Sequence, residues 1–130
     1  MKLLFVEDDA MNRRVVKDML NVAGVLMDEA DGAQEGLRMI DVGDYDLVLM
    51  DLRMPGMDGM EAISALRQRA DEKGRLPVIV LTADAAAGLR ERCMAAGADE
   101  VLFKPVSMQS LFDAIAIVLV DRDGADTIVS

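Results

Sequence analysis

Short apolar runs alternate along this chain with stretches whose apolar residues recur at helical spacing. Five runs have strand character: Leu3 to Val6, Val25 to Met27, Leu47 to Met50, Val78 to Leu81 and Val101 to Phe103, each bounded by acids, glycine or proline. Between the first two, Met11, Val15, Met19 and Val22 share one helical stripe, Val16 and Leu20 widen it, and Gly24 is placed to end the helix. A second helix rests on Ala33, Leu37 and Ile40 before Gly43, and a third runs from about Gly59 to about Glu72 with Ile63 and Leu66 inward. The last shows Met108, Leu111, Phe112, Ile115 and Leu119 at helical spacing behind Ser107 as N-cap. The fourth, opening at Asp84-Ala85-Ala86-Ala87-Gly88-Leu89, has few large apolar anchors and a glycine in its body, a cost of about 1 kcal/mol relative to alanine. It is the softest element and a candidate moving part. Asp121 to Asp126 reads as a frayed tail, which gives one domain over 1–120 and a tail over 121–130.

Five βα units imply a doubly wound α/β fold: a parallel sheet with right-handed crossovers, helices on both faces and every strand C-terminus on one edge. Open sheets of this kind place their chemistry at that edge. Here the first run ends in Glu7-Asp8-Asp9, the third in Asp51, the fourth in Thr82 and the fifth in Lys104-Pro105. Three carboxylates brought together there, Glu7, Asp8 and Asp51, repel one another unless a hard dication supplies positive charge. Oxygen ligands without histidine or a thiol cluster suit Mg²⁺. Asp51 is then a nucleophile toward phosphorus, with Lys104 and the ion neutralising phosphoryl oxygens and the Thr82 hydroxyl donating to one of them. Taken singly, an acid triplet is usually a solvated turn, a lysine a surface charge and a threonine a strand-end cap; their occurrence together at four strand ends reverses each reading. Asp9 reads only as a neighbour of the site. Arg13-Arg14, Arg90 and Arg92 read as solvated helix faces, Cys93 as a small core residue, and the eleven methionines as core filling.

Composition narrows the setting. At 130 residues the chain fits one domain with a real core, and its net charge of −10 opposes direct nucleic-acid binding and anionic membranes. A single cysteine suits a reducing compartment. No run approaches the roughly 18 apolar residues of a membrane span, and the opening residues do not form a signal peptide, so the cytoplasm is the expected location.

The segments Val6-Glu7-Asp8-Asp9, Met50-Asp51-Leu52-Arg53-Met54-Pro55-Gly56-Met57-Asp58-Gly59, Leu81-Thr82-Ala83 and Phe103-Lys104-Pro105, in that order, resemble the receiver domain of two-component response regulators, over roughly Lys2 to Val120. Each is weak alone; four in order are specific. The resemblance implies the CheY-like strand order 2-1-3-4-5, which is a known example of the fold. It implies Asp51 as phosphoacceptor, Asp8 as direct Mg²⁺ ligand, Glu7 as a ligand through water, the backbone carbonyl of Arg53 as a further ligand, and Thr82 and Lys104 as the switch and catalytic pair. It also implies a cis Lys104-Pro105 bond, a histidine kinase or histidine phosphotransfer protein as donor, and an output domain or downstream protein that reads the surface of helix four, strand five and helix five.

One position departs from the family. Val101 stands where an aromatic ring often swings inward on activation, and Phe103 lies two residues nearer the edge, so the signal is expected to travel through the loop after Thr82 and the fourth helix. Arg53 and Asp84 flank the pocket as modulators of water access. Met11 and Asn12 open the first helix where a partner's histidine would approach, and Asp8-Asp9-Ala10-Met11-Asn12-Arg13 is similar to hybrid-kinase receivers. With no histidine the chain is not the phosphohistidine donor. The rival from another class is an aspartate-nucleophile phosphohydrolase, which usually carries an acid two residues after the nucleophile, where this chain has Arg53. A purely adaptor receiver that is never phosphorylated is opposed by the complete acid, threonine and lysine set.

Overall fold

In the computed structural model, which describes residues 1–120 with their side chains and the last helix to Val129, the apolar runs become β1 (Lys2–Val6), β2 (Leu26–Ala30), β3 (Leu47–Met50), β4 (Val78–Thr82) and β5 (Glu100–Phe103). They form one parallel sheet in the order β2-β1-β3-β4-β5. The helices are α1 (Ala10–Val22), α2 (Ala33–Val42), α3 (Gly59–Arg67), α4 (Leu89–Ala96) and α5 (Met108–Val129), and a short 3-10 turn at Glu72–Arg75 leads into β4. The period of two along the central strands divides the core. Leu4, Val6, Val48, Met50, Val78 and Val80 face α2, α3 and α4, while Leu3, Phe5, Leu47, Leu49, Ile79 and Leu81 face α1 and α5. Covered on both sides, β1 from Leu3, β3 throughout and β4 as far as Leu81 are apolar without interruption, as parallel strands between two helix layers require.

Several elements differ from the expectation. β2 runs on to Ala30 through Asp28 and Glu29, because an edge strand can carry polar side chains that find partners outside the core. Glu29 takes Arg13 at 3.0 Å and Lys17 at 3.2 Å, and Asp28 accepts from the Tyr45 hydroxyl at 2.7 Å. In α1 the buried residues are Val16 and Leu20, whereas Met11 and Val22 are 70% and 71% exposed, so the inward face lies one position round from the Met11 stripe. The helix α3 stops at Arg67 rather than near Glu72, because the Arg67 guanidinium folds back on the following chain. It donates to the carbonyls of Gly74, Leu76 and Gly97 at 3.0, 2.8 and 2.9 Å and to Asp99 at 3.1 Å. The reading of Gly88 as a glycine inside α4 is also corrected. Gly88 has φ +77 and is the residue before the helix, a left-handed position glycine adopts without strain, while residues 84 to 87 are loop. α4 is nonetheless lightly held, since it buries only Leu89 and Cys93. Ser107 caps α5 as expected, its hydroxyl accepting from the Ser110 amide at 3.0 Å. The tail read at 121–130 lies outside the residues whose side chains are described.

Tyr45 provides a local test of this fold. It is the only tyrosine, the chain has no tryptophan, and burial together with the bond to Asp28 pushes its phenol up to about 12. The same bond holds Asp28 below the usual carboxylate range. An absorbance titration is expected to show phenolate forming near pH 12, and Asp28→Ala should bring the midpoint down toward 10. A folded-state pKa raised above the unfolded value means that the contribution is complete below about pH 10 and fades as pH rises toward about 12. A wild-type midpoint at the free-phenol value, with the fold intact by circular dichroism, would contradict the contact.

Candidate functional site

Strand register assembles the site. Val6 lies opposite Met50, so Glu7 and Asp51 leave the sheet side by side, tied by backbone bonds from Glu7 to Ala30 and from Asp51 to Val6, both 3.0 Å. Thr82 lies opposite Phe103, and the Lys104 amide donates to the Thr82 carbonyl at 2.8 Å. The four strand ends therefore deliver their side chains to one edge, as the sequence predicts. Among the described residues Glu7, Asp51 and Thr82 are the buried polar side chains, while Asp8 stands at the surface beside them.

Glu7, Asp8 and Asp51 each offer a carboxylate oxygen, and these oxygens lie within 4.8 Å of one another. The Lys104 ammonium is 2.5 Å from Glu7 Oε1 and 3.6 Å from Asp51 Oδ1. Burial pushes the Glu7 carboxyl up, the Asp51 carboxyl beside it adds to this, and Lys104 only partly opposes it. One lysine does not offset three clustered acids, so the donor set fits a hard dication bound through oxygen.

The loop that carries Asp51 onward is held from both sides. Leu52 and Met54 are buried in the core beneath α2, α3 and α4, which leaves Arg53 between them pointing outward. Gly56 has φ +80, allowing the turn after Pro55. Asp58 then starts α3 with a capping box, its carboxylate accepting from the Glu61 amide at 2.8 Å. Gly59 packs against the strand end so closely that a Cβ would stand 2.1 Å from the Asp51 carbonyl oxygen. Across the mouth, Arg53 Nη2 donates to Asp84 Oδ2 at 2.6 Å and joins this loop to the one after β4. That guanidinium holds the Asp84 carboxyl below the usual range. The Asp84 amide donates to Thr82 Oγ1 at 3.1 Å, so the hydroxyl now serves the loop that leads to α4.

Three residues beside Glu7 and Asp8 have roles their sequence positions do not announce. Asp9 is the N-cap of α1, its Oδ1 accepting from the amides of Met11 at 2.8 Å and Asn12 at 3.1 Å. Arg13 is not part of a solvated face: it donates to the Glu7 carbonyl at 2.7 Å and to Glu29, with its side chain 17% exposed, whereas Arg14 does face solvent. Asn12 donates through Nδ2 to Glu7 Oε1 at 3.0 Å. The available signal was spacing, since a helix capped at Asp9 turns residues 12 and 13 back toward the strand end. Arg90 pairs with Glu100 at the start of β5. Val101 is buried against Leu89, Cys93 and Ala98, while Phe103 is 43% exposed, so no ring occupies the usual switch position. The Lys104-Pro105 bond is cis.

The model of the response regulator receiver domain family matches residues 3–116. The chain belongs to that family. This receiver domain is 35% identical over 113 residues to the hybrid signal transduction histidine kinase G of Dictyostelium discoideum, covering 85% of this chain and 3% of the relative. It is 37% identical over 117 residues to the sensory/regulatory protein RpfC of Xanthomonas campestris, covering 89% of this chain and 16% of the relative. The chain thus spans only a small part of these relatives. A solved structure of the receiver domain of the sensor histidine kinase PA1611 from Pseudomonas aeruginosa PAO1 is 34% identical with a TM-score of 0.81, covers 91% of this chain and 96% of that one, and has a magnesium ion coordinated in its active site cleft. A Vibrio cholerae chemotaxis protein, CheY4, gives a TM-score of 0.82 at 27% identity, covering 90% of this chain and 97% of that one. The receiver domain is a phosphorylation-dependent signalling switch rather than a metabolic enzyme, and the phosphohydrolase reading is not favoured. No helix among the described residues is long and apolar enough to cross a membrane.

Proposed function

We propose that Asp51 is the phosphoacceptor of this receiver domain. A carboxylate oxygen of Asp51 attacks the phosphorus of a phosphohistidine; the P–N bond breaks, its electron pair returns to the imidazole, and an acyl phosphate forms on Asp51. The observation that carries this reading is the buried Asp51 set among Glu7, Asp8 and Lys104 at one sheet edge. Asp8, Asp51 and the Arg53 carbonyl would hold Mg²⁺ directly and Glu7 through water. When bound, the ion offsets charge on the phosphoryl oxygens. Lys104 moves from Glu7 toward the new anion, and the Thr82 hydroxyl turns to donate to it, giving up the Asp84 amide.

Loss of that bond frees the loop over 83–88, and the lightly anchored α4 responds, changing the surface of α4, β5 and α5. Arg53 and Asp84, paired across the mouth, govern the approach of hydrolytic water, so autodephosphorylation is slow. The donor is a histidine kinase or histidine phosphotransfer protein. A groove of about 430 Å³ beside Lys104, lined by Asn12, Val15, Pro105 and Val106, suits the approach of its histidine-bearing helix, with Met11 exposed on the same helix α1. The reader of the switch is an output domain or downstream protein. Direct contact with nucleic acid or membrane is opposed by the net charge of −10, and the donor chemistry and a lone free cysteine, Cys93, support a cytoplasmic setting. Residues 1–120 form the phosphoacceptor unit and 121–130 its C-terminal tail.

Incubation with acetyl phosphate and Mg²⁺, followed by mass spectrometry, is expected to add one hydroxylamine-sensitive phosphoryl group on the peptide containing Asp51. Hydrogen exchange on the labelled protein should then change over residues 83 to 97. A label that maps to a serine would overturn the acceptor, and unchanged exchange in fully labelled protein would overturn the α4 response.

A further inference from the structure

The Asp9 cap fixes the first turn of α1, and with it Asn12, whose Nδ2 donates to Glu7 Oε1 at 3.0 Å. The same oxygen accepts from Lys104 Nζ at 2.5 Å, although Lys104 is the cation that a phosphoryl group on Asp51 would draw away. Glu7 is 1% exposed, so apart from a water that the ion would bring, an oxygen that lost Lys104 would keep only the donors the protein fixes beside it. We infer that Asn12 is a positioning residue, the donor that keeps the Glu7 carboxylate oriented while the Lys104 ammonium passes from Glu7 to the phosphoryl oxygens. This rests on the phosphoacceptor reading of Asp51.

The chemistry of the pair supports the role. An ionised carboxylate only accepts, so Asn12 must present its amide nitrogen, and an amide carries no charge to compete with Lys104 or a dication. A glutamate also has one more rotatable bond than an aspartate, and a single mobile lysine would leave that bond unfixed once it departed. Asn12 is carried by the helix backbone and stays. Arg13, its neighbour, holds the Glu7 main chain through the carbonyl at 2.7 Å, so main chain and side chain of Glu7 are each anchored from the first turn of α1.

The test separates this role from partner docking, because Asn12 also lines the groove beside Lys104. Labelling of Asp51 by acetyl phosphate needs no partner protein. Asn12→Leu, similar in size and without a donor, is expected to slow labelling by about tenfold or more, the worth of one hydrogen bond to a charged group. Calorimetric titration with Mg²⁺ alone should show affinity weakened by a comparable factor, about tenfold, since a freely turning carboxylate binds less well. Asn12→Asp, of the same shape with an acceptor in place of the donor, should slow labelling at least as much, whereas a residue that mattered only for packing would tolerate it. Wild-type rates and Mg²⁺ affinity in both variants would overturn the inference while leaving Asp51 as acceptor. Absence of any label on wild-type Asp51 would instead overturn the acceptor reading and this inference with it.

Discussion

Asparagine or alanine at Asp51 is expected to remove labelling by acetyl phosphate altogether. The amide of Asp51→Asn keeps the size of the carboxylate, so a buried strand end should tolerate it, but it has no anionic oxygen to attack phosphorus. Its loss also takes one of three clustered acids out of the site. Without Mg²⁺ the variant should therefore be at least as stable as wild type, since Glu7 is relieved of a neighbour that pushes its carboxyl up. With Mg²⁺ the order reverses. A ligand that binds only the folded state stabilises it by about 1 kcal/mol at roughly five times its dissociation constant, which raises the melting temperature of a domain of this size by about 4 °C. Wild type should gain that shift and Asp51→Asn should lose most of it. Thermal melts with and without Mg²⁺ measure both halves; a wild-type melt indifferent to millimolar-range Mg²⁺, or label retained at the wild-type rate by Asp51→Ala, would sink the site.

A single methyl group at Gly59 should do comparable damage through the backbone. The Cβ of Gly59→Ala would lie 2.1 Å from the Asp51 carbonyl oxygen and 2.9 Å from the Asp51 carbonyl carbon and from Leu52 Cα. None of these is the far end of a flexible side chain. The start of α3 or the end of β3 must shift, and the bond from the Gly59 amide to the Leu52 carbonyl, 3.0 Å here, is put at risk. Overpacking of this kind typically costs 1–3 kcal/mol, and a clash with main chain lies at or above the upper end, about 3 kcal/mol. Because the shift moves the residue that accepts phosphate, labelling should also fall, by up to about a hundredfold for a displacement near 1 Å. Denaturant unfolding and the acetyl phosphate rate give the two readouts. An unchanged unfolding midpoint would mean that α3 can slide away from the strand without cost.

Much of the site was legible in the sequence, and the reason is topological. In a parallel sheet every strand C-terminus meets the same edge, so reading Glu7, Asp51, Thr82 and Lys104 as strand-end residues brings them together once the family resemblance makes β1, β3, β4 and β5 neighbours. The contacts from α1 were harder to read. Asp9, Asn12 and Arg13 look like a polar helix start, and their service to Glu7 depends on where Asp9 caps the helix and how α1 meets β1. At Gly88 the sequence pattern points the wrong way, because its sign of φ, not its place in an alanine-rich run, decides whether it weakens a helix or begins one. The end of α3 does not show in the local pattern, because Arg67 makes its bonds with residues as distant as Asp99.

The sequence by itself determined the order of five strands and five helices, the family, and the kinds of chemical group at the catalytic edge. These follow from short-range periodicity and from residue type at the ends of runs. Tertiary structure alone decided that Val16 and Leu20 rather than Met11 and Val22 enter the core, that β2 extends through two acids, that Arg53 meets Asp84 across the mouth, and that Asn12 shares Glu7 with Lys104. Each of these depends on the angle at which one element packs on another and on partners brought together from separate segments, and no local pattern of apolar and polar residues carries that angle.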